Sequence, residues 1–121
     1  MSSSAVILFA HGAREPEWAL PFEQVRDRLR AEGLRVELAY LEIMKPSLDE
    51  AARLLVAEGV RTATIVPLFL AQGKHLKHEL PGKIAALKRT HPATEFRVTA
   101  ALGDEAEILA AIVAWVKRST R

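Results

Sequence analysis

The stretch Ala63-Thr64-Ile65-Val66-Pro67-Leu68-Phe69-Leu70-Ala71-Gln72-Gly73-Lys74-His75 decides the fold. Its first half is a short apolar run rich in β-branched and aromatic residues, closed by Gln72 and Gly73, and it reads as a buried strand that delivers a histidine into a loop. Pro67 sits late in the run and marks where pairing stops and the chain leaves the sheet. The N-terminal run Ala5-Val6-Ile7-Leu8-Phe9-Ala10 has the same form, with His11, Gly12 and Arg14 at its exit. In a parallel sheet all strand C-termini lie on one edge, where open α/β folds place their ligands, so His11 and His75 are expected as neighbours in space.

Working outward, the continuous apolar character of residues 5–10 predicts burial on both faces, as in a parallel sheet covered by helices. A helix is predicted through 22–30, with Phe22, Val25 and Leu29 on one stripe, Pro21 in its first turn and Gly33 as its cap. Leu34, Val36, Leu38 and Tyr40 alternate as a second strand. Ser47 and Glu50 form a capping box for a helix running to Glu58, which Gly59 stops. After Gly73 come a helical turn or two, and then Pro81 restarts a helix to about Arg89. A fourth strand is expected over 95–101. The last helix is expected to bury Ile108, Leu109, Ile112, Val113 and Val116. The order βαβαβαβα with right-handed crossovers specifies an α/β three-layer sandwich on a small four-stranded parallel sheet, a flavodoxin-like half.

The 121 residues are enough for one domain over 1–121 with a genuine core. Apolar residues make up 50% and charged residues 26%, the balance of an ordinary globular protein. The absence of cysteine rules out disulfides and thiolate metal sites and fits a reducing, cytoplasmic setting. The first apolar run is only a strand's length before His11, so neither a signal peptide nor a membrane span is expected. Net charge is +2, with Lys and Arg scattered in no long run, so nucleic acid is not an expected partner. No Gly-x-Gly-x-x-Gly or Walker-type loop follows any strand, which leaves a nucleotide site without support.

Three strand exits then present His11, Glu42 and His75 on one edge. Two imidazoles and a carboxylate suit a divalent first-row metal such as Co²⁺, Fe²⁺, Ni²⁺ or Zn²⁺. The same groups can instead accept protons. Arg14, Lys45, Lys74 and Lys77 flank this edge and give it a cationic rim. His78 and Glu79 follow His75 at i+3 and i+4, and an exposed helix face is the simpler account of both. Trp18 and Trp115 read as packing residues.

The phrases His11-Gly12-Ala13-Arg14-x-Pro16, Tyr40-Leu41-Glu42 with Pro46-Ser47-Leu48, Val66-Pro67-Leu68-Phe69-Leu70-x-x-Gly73-x-His75, Leu80-Pro81 and Leu102-Gly103 resemble the sirohydrochlorin cobaltochelatase and ferrochelatase family, the class II chelatases. They keep the family's order over nearly the whole chain, at the length of its short, single-lobe form. The resemblance implies insertion of a divalent metal, Co²⁺ or Fe²⁺, into sirohydrochlorin in cobalamin or sirohaem biosynthesis, with the metal as substrate, no permanently bound cofactor and a homodimeric assembly. It implies His11 and His75 as active-site metal ligands or proton acceptors, with Glu42 assisting. Gly12 and Gly73 would let backbone approach the macrocycle, and Arg14, Lys45, Lys74 or Lys77 would hold its carboxylates. Some relatives carry a histidine-rich tract that this chain lacks, which argues against metal storage. Two other readings share these residues: a tetrapyrrole- or metal-binding protein without turnover, and a metal-dependent hydrolase using the same edge.

Overall fold

Parallel pairing fixes the architecture. In the computed structural model, which describes residues 3–121 apart from the side chain of His75, four strands form one sheet in the order β2-β1-β3-β4. They are β1 (Ser4–Ala10), β2 (Val36–Tyr40), β3 (Thr62–Pro67) and β4 (Glu95–Val98). Every pairing is parallel, with Ile7 opposite Glu37 on one side and Ile65 on the other. The helices are α1 (Leu20–Ala31), α2 (Leu48–Ala57), α3 (Lys74–Thr90) and α4 (Ala106–Ser119), and 3-10 turns at Pro16–Ala19 and Leu102–Asp104 precede the first and the last. Pro67 is the last residue of β3, paired with Phe9, and the sheet ends there.

Alternation along the strands divides the core. Ala5, Ile7, Phe9, Ala63, Ile65 and Phe96 face α2 and α3, meeting Leu48, Ala52 and Leu55 from one helix and Leu76, Leu80, Ile84 and Leu87 from the other. Leu8, Ala10, Val36, Leu38 and Tyr40 face α1, with Trp18, Phe22 and Leu29 packed against them. The capping box is present as read: Ser47 Oγ accepts from the Glu50 N–H at 3.2 Å, and a Glu50 carboxylate oxygen accepts from the Ser47 N–H at 2.9 Å. Past α1, Leu34 N–H donates to the Leu29 carbonyl and Gly33 N–H to that of Arg30, the paired bonds of a Schellman closure. A charged clamp ties the start of β2 to the end of α2, with Arg35 on Glu58 at 2.7 Å and on Glu37 at 2.7 Å.

Three expectations about the helices need correction, and two strands are shorter than expected, β2 beginning at Val36 with Leu34 exposed before it and β4 ending at Val98. Pro81 does not restart a helix; it lies inside one continuous α3, its ring tolerated on the 17-residue frame although it has no N–H to give the Lys77 carbonyl. Val25 is exposed, because α1 leans on the sheet through Phe22 and Leu29 instead. The largest difference is α4. It contributes no buried residue: Leu109, Ile112, Val113 and Val116 are exposed, and Trp115 is 61% exposed. Its apolar pattern is the one that predicts burial, but the helix leaves the sheet at the Leu102–Asp104 turn. Thr62, Thr64 and Val66 of β3 are consequently only half-buried on the side away from α3.

Candidate active site

With strand order β2-β1-β3-β4, the chain reverses direction across the sheet between β1 and β3, and the crevice outside their C-terminal ends is where such sheets bind ligands. His11 leaves β1 at this point. Beside it, β2 runs on past its last residue: Leu41 N–H donates to the Ala10 carbonyl at 2.9 Å and Glu42 N–H to the His11 carbonyl at 3.1 Å. These two bonds carry Glu42 to the same edge. The His11 Nε2 atom and a Glu42 carboxylate oxygen stand 3.7 Å apart, both side chains about half exposed, at 52% and 57%.

Packing orients the imidazole. The Phe9 and Phe69 rings meet edge to face at 5.7 Å, and the His11 ring meets Phe69 the same way at 6.2 Å, so an aromatic row runs from the core to the site. Gly12 has φ +100, and a Cβ there would run into the Glu42 carbonyl oxygen. Only glycine satisfies both the left-handed backbone and the close approach.

His11 and Glu42 open onto a cavity of about 540 Å³ walled by Leu41, Phe69, Ala71, Gly73, Leu76, Glu79 and Lys83. Gly73 is the N-cap of α3 and His75 the second residue of that helix; the His75 side chain lies outside the described residues. Among the described residues no group of three His, Cys, Asp or Glu is close enough to hold a metal, and the described part of the expected ligand set is the His11–Glu42 pair.

The cationic rim divides in two. Arg14 and Lys45 line a neighbouring cavity of about 350 Å³ together with Tyr40, Glu23, Ile43 and Met44. Burial, reinforced by Glu23, pushes the Tyr40 phenol above its ordinary range, so it stays a neutral hydroxyl there. Lys74 is exposed at the start of α3. Lys77 lies in a different groove, against Leu80, Pro81, Ile84 and Val98. Phe69, Leu76 and Lys83 are wall residues that sequence reasoning did not single out. For Lys83 the signal was available, since it follows His75 and Glu79 at the i, i+4, i+8 spacing of one helix row.

No helix among the described residues is long and apolar enough to cross a membrane. The CbiX family model matches residues 5–119. A sirohydrochlorin cobaltochelatase of Sulfolobus acidocaldarius is 31% identical over 104 residues, covering 86% of this chain and 82% of that protein. One of Sulfurisphaera tokodaii is 36% identical over 83 residues, 69% of each chain. Among solved structures, a CbiX protein of cobalamin (vitamin B12) biosynthesis from Marinobacter aquaeolei superposes with a TM-score of 0.83 at 32% identity, over 96% of this chain and 93% of that one. The sirohydrochlorin chelatase SirB from Bacillus subtilis subspecies spizizenii, in complex with cobalt, shares the fold with a TM-score of 0.78 at 22% identity; the match takes 98% of this chain and 51% of SirB. On the extent of the family match and the conformity of fold and length, the chain belongs to the CbiX family.

Proposed function

We propose that this protein is a sirohydrochlorin chelatase that inserts a divalent cation, Co²⁺ or Fe²⁺, into the metal-free tetrapyrrole without a nucleotide cofactor. The observation that carries the reading is the His11–Glu42 pair, 3.7 Å apart at the mouth of the switch-point cavity, in a chain whose relatives bear that activity in their names.

Metallation exchanges two pyrrole N–H protons for one M²⁺, so the site must hold a partly dehydrated cation and then receive protons. A neutral imidazole offers one free lone pair, and His11 presents Nε2 toward the cavity mouth beside the Glu42 carboxylate. The carboxylate's negative charge favours the cation on arrival. As the metal passes to the macrocycle, the vacated imidazole nitrogen and carboxylate oxygen become acceptors for the departing protons. His75 is the second imidazole of this reading, at a position in the same helix row as the wall residues Glu79 and Lys83. Arg14 and Lys45 receive peripheral carboxylates of the substrate in the adjoining cavity, while Gly12 and Gly73 keep the backbone close.

The protein works as a homodimer on this reading. One feature supports it: α4 carries an exposed apolar stripe, Leu109, Ile112, Val113, Trp115 and Val116, that needs a cover. Trp115→Glu is expected to shift the elution of the purified protein from dimer to monomer, and a monomeric wild type would refute the assembly.

The function is tested by mixing purified protein with sirohydrochlorin and Co²⁺ or Fe²⁺ and following absorbance against the uncatalysed rate. Product in molar excess over protein excludes a carrier that does not turn over. His11→Ala and His75→Ala are each expected to lower the rate about 100-fold or more with unchanged circular dichroism. Full activity in either variant would remove that residue from the mechanism.

A further inference from the structure

The residue after Glu42 is held in an unusual backbone. Ile43 has φ 69, the one non-glycine residue with positive φ among the described residues. The Met44 N–H donates to the Glu42 carbonyl at 2.7 Å, an i to i+2 bond, so Glu42-Ile43-Met44 is a γ-turn with positive φ at its centre, the rarer and more strained form. Left-handed backbone is disfavoured for any L side chain and most of all for a β-branched one. Glycine or asparagine would occupy the position at lower cost.

Burial does not offset the strain, because Ile43 is 62% exposed. The turn is instead clamped from outside. Glu42 N–H is fixed to the His11 carbonyl, Tyr40 N–H donates to the Pro46 carbonyl at 2.9 Å, and Gly12 lies directly under the Glu42 carbonyl. The clamped backbone sets a branched apolar side chain at the rim of the site. Ile43 shares its cavity with Arg14 and Lys45, while the neighbouring Glu42 faces the other cavity with His11.

A flat tetrapyrrole has two apolar faces and a carboxylate-bearing periphery, so it calls for an apolar ridge with cations beside it. Ile43, Arg14 and Lys45 are that combination, one residue from the carboxylate assigned to metal and proton handling. We propose that Ile43 is a substrate-contact residue: the strained turn holds its side chain as a ridge against the macrocycle face, seating the ring over His11 and Glu42. This rests on the chelatase reading, and strain retained where substrate must sit is consistent with a functional position.

The experiment compares Ile43→Ala, Ile43→Gly and Ile43→Leu with the wild-type protein in three measurements: thermal midpoint, retention of metal-free sirohydrochlorin, and KM and kcat for its metallation. Ile43→Ala removes three side-chain carbons and Ile43→Gly four; with the contact covering only part of the side chain, each truncation raises KM about 10-fold or more, with weaker retention of the tetrapyrrole and little change in kcat. Ile43→Leu, which keeps the apolar bulk, restores most of the affinity. Ile43→Gly raises the thermal midpoint because the backbone strain is relieved. Wild-type KM in both truncations would overturn the proposal. A loss confined to kcat would also overturn it, reassigning the turn to orienting Glu42. Failure of the wild-type protein itself to bind and metallate sirohydrochlorin would refute the chelatase reading and this inference with it.

Discussion

Gly12→Ala should damage the protein more than its size suggests. The backbone at Gly12 has φ +100, which costs an L-alanine about 1–2 kcal/mol. The new methyl group would also run into the Glu42 carbonyl oxygen, with the carbonyl carbon only 3.1 Å away, and that backbone is pinned by the Met44 and His11 bonds. Relieving the overlap moves Glu42 off the His11 carbonyl and adds about 1–3 kcal/mol, the usual cost of overpacking. Alanine's stiffer unfolded chain returns about 0.4–1 kcal/mol, so a net loss of about 2–4 kcal/mol is expected. Gly33→Ala is the control. Its φ is +95 and nothing lies within 4 Å of the added carbon, so it bears the backbone cost alone, about 1 kcal/mol or less. Urea unfolding of both variants, followed by circular dichroism, isolates the steric part. At about 4 °C per kcal/mol the Gly12 variant melts roughly 8–16 °C early. Metallation should fall as well, since the Glu42 carboxylate is displaced from His11. If Gly12→Ala proves no less stable than Gly33→Ala, the close packing of the His11 and Glu42 exits is wrong.

Two further outcomes concern the scaffold. Leu55, 1% exposed between α2 and the sheet, should cost about 2–5 kcal/mol as Leu55→Ala in urea unfolding, and a loss below about 1 kcal/mol would contradict the packing described. Glu50 is held below the usual carboxylate range by the Ser47 N–H first and its hydroxyl second, and Glu58 by its bonds to Arg35. Both folded values are depressed, so their stabilisation is present above the unfolded glutamate range and is lost as pH falls through the folded values. The urea midpoint should therefore decline on acidification, and Ser47→Ala, which removes the hydroxyl's part of the cap, should lower the midpoint at neutral pH and flatten that decline; an unchanged pH profile would count against the cap.

Much of this was readable in the chain because the signals were local. The apolar runs ending at Ala10 and Pro67, the Ser47–Glu50 box and the glycines at 33 and 59 each specify their structure within a few residues. The strand-exit logic then puts His11 and Glu42 on one edge of the sheet, and the structure sets their side chains 3.7 Å apart. What the sequence concealed depends on partners or on backbone detail. The stripe of Leu109, Ile112, Val113 and Val116 is the pattern of a buried helix, yet it does not say what buries it, and among the described residues nothing does. Pro81 looked like a helix start because proline is favoured there, and only the packing of Leu80 and Ile84 on the sheet shows the helix running through it. The γ-turn at Ile43 leaves no trace in residue type, since the residue that adopts it is among the least suited to do so. Lys77 was placed on the rim by proximity to His75, but helical rotation turns it into the groove beside Val98.

The proline within α3 has a mechanical consequence. Residue 81 offers no amide to the carbonyl of Lys77, so the opening turns of the helix are joined to the remainder by one rung fewer, and Gly82 adds no side chain to brace the seam. The cavity wall straddles that seam, with Leu76 and Glu79 before it and Lys83 after it, while Leu76 and Leu80 on one side and Ile84 and Leu87 on the other are seated in the core. A small bend at the seam would therefore change the spacing of the wall across the guest without unseating either half of the helix, and amide exchange should be faster at the turn around the proline than at Leu87.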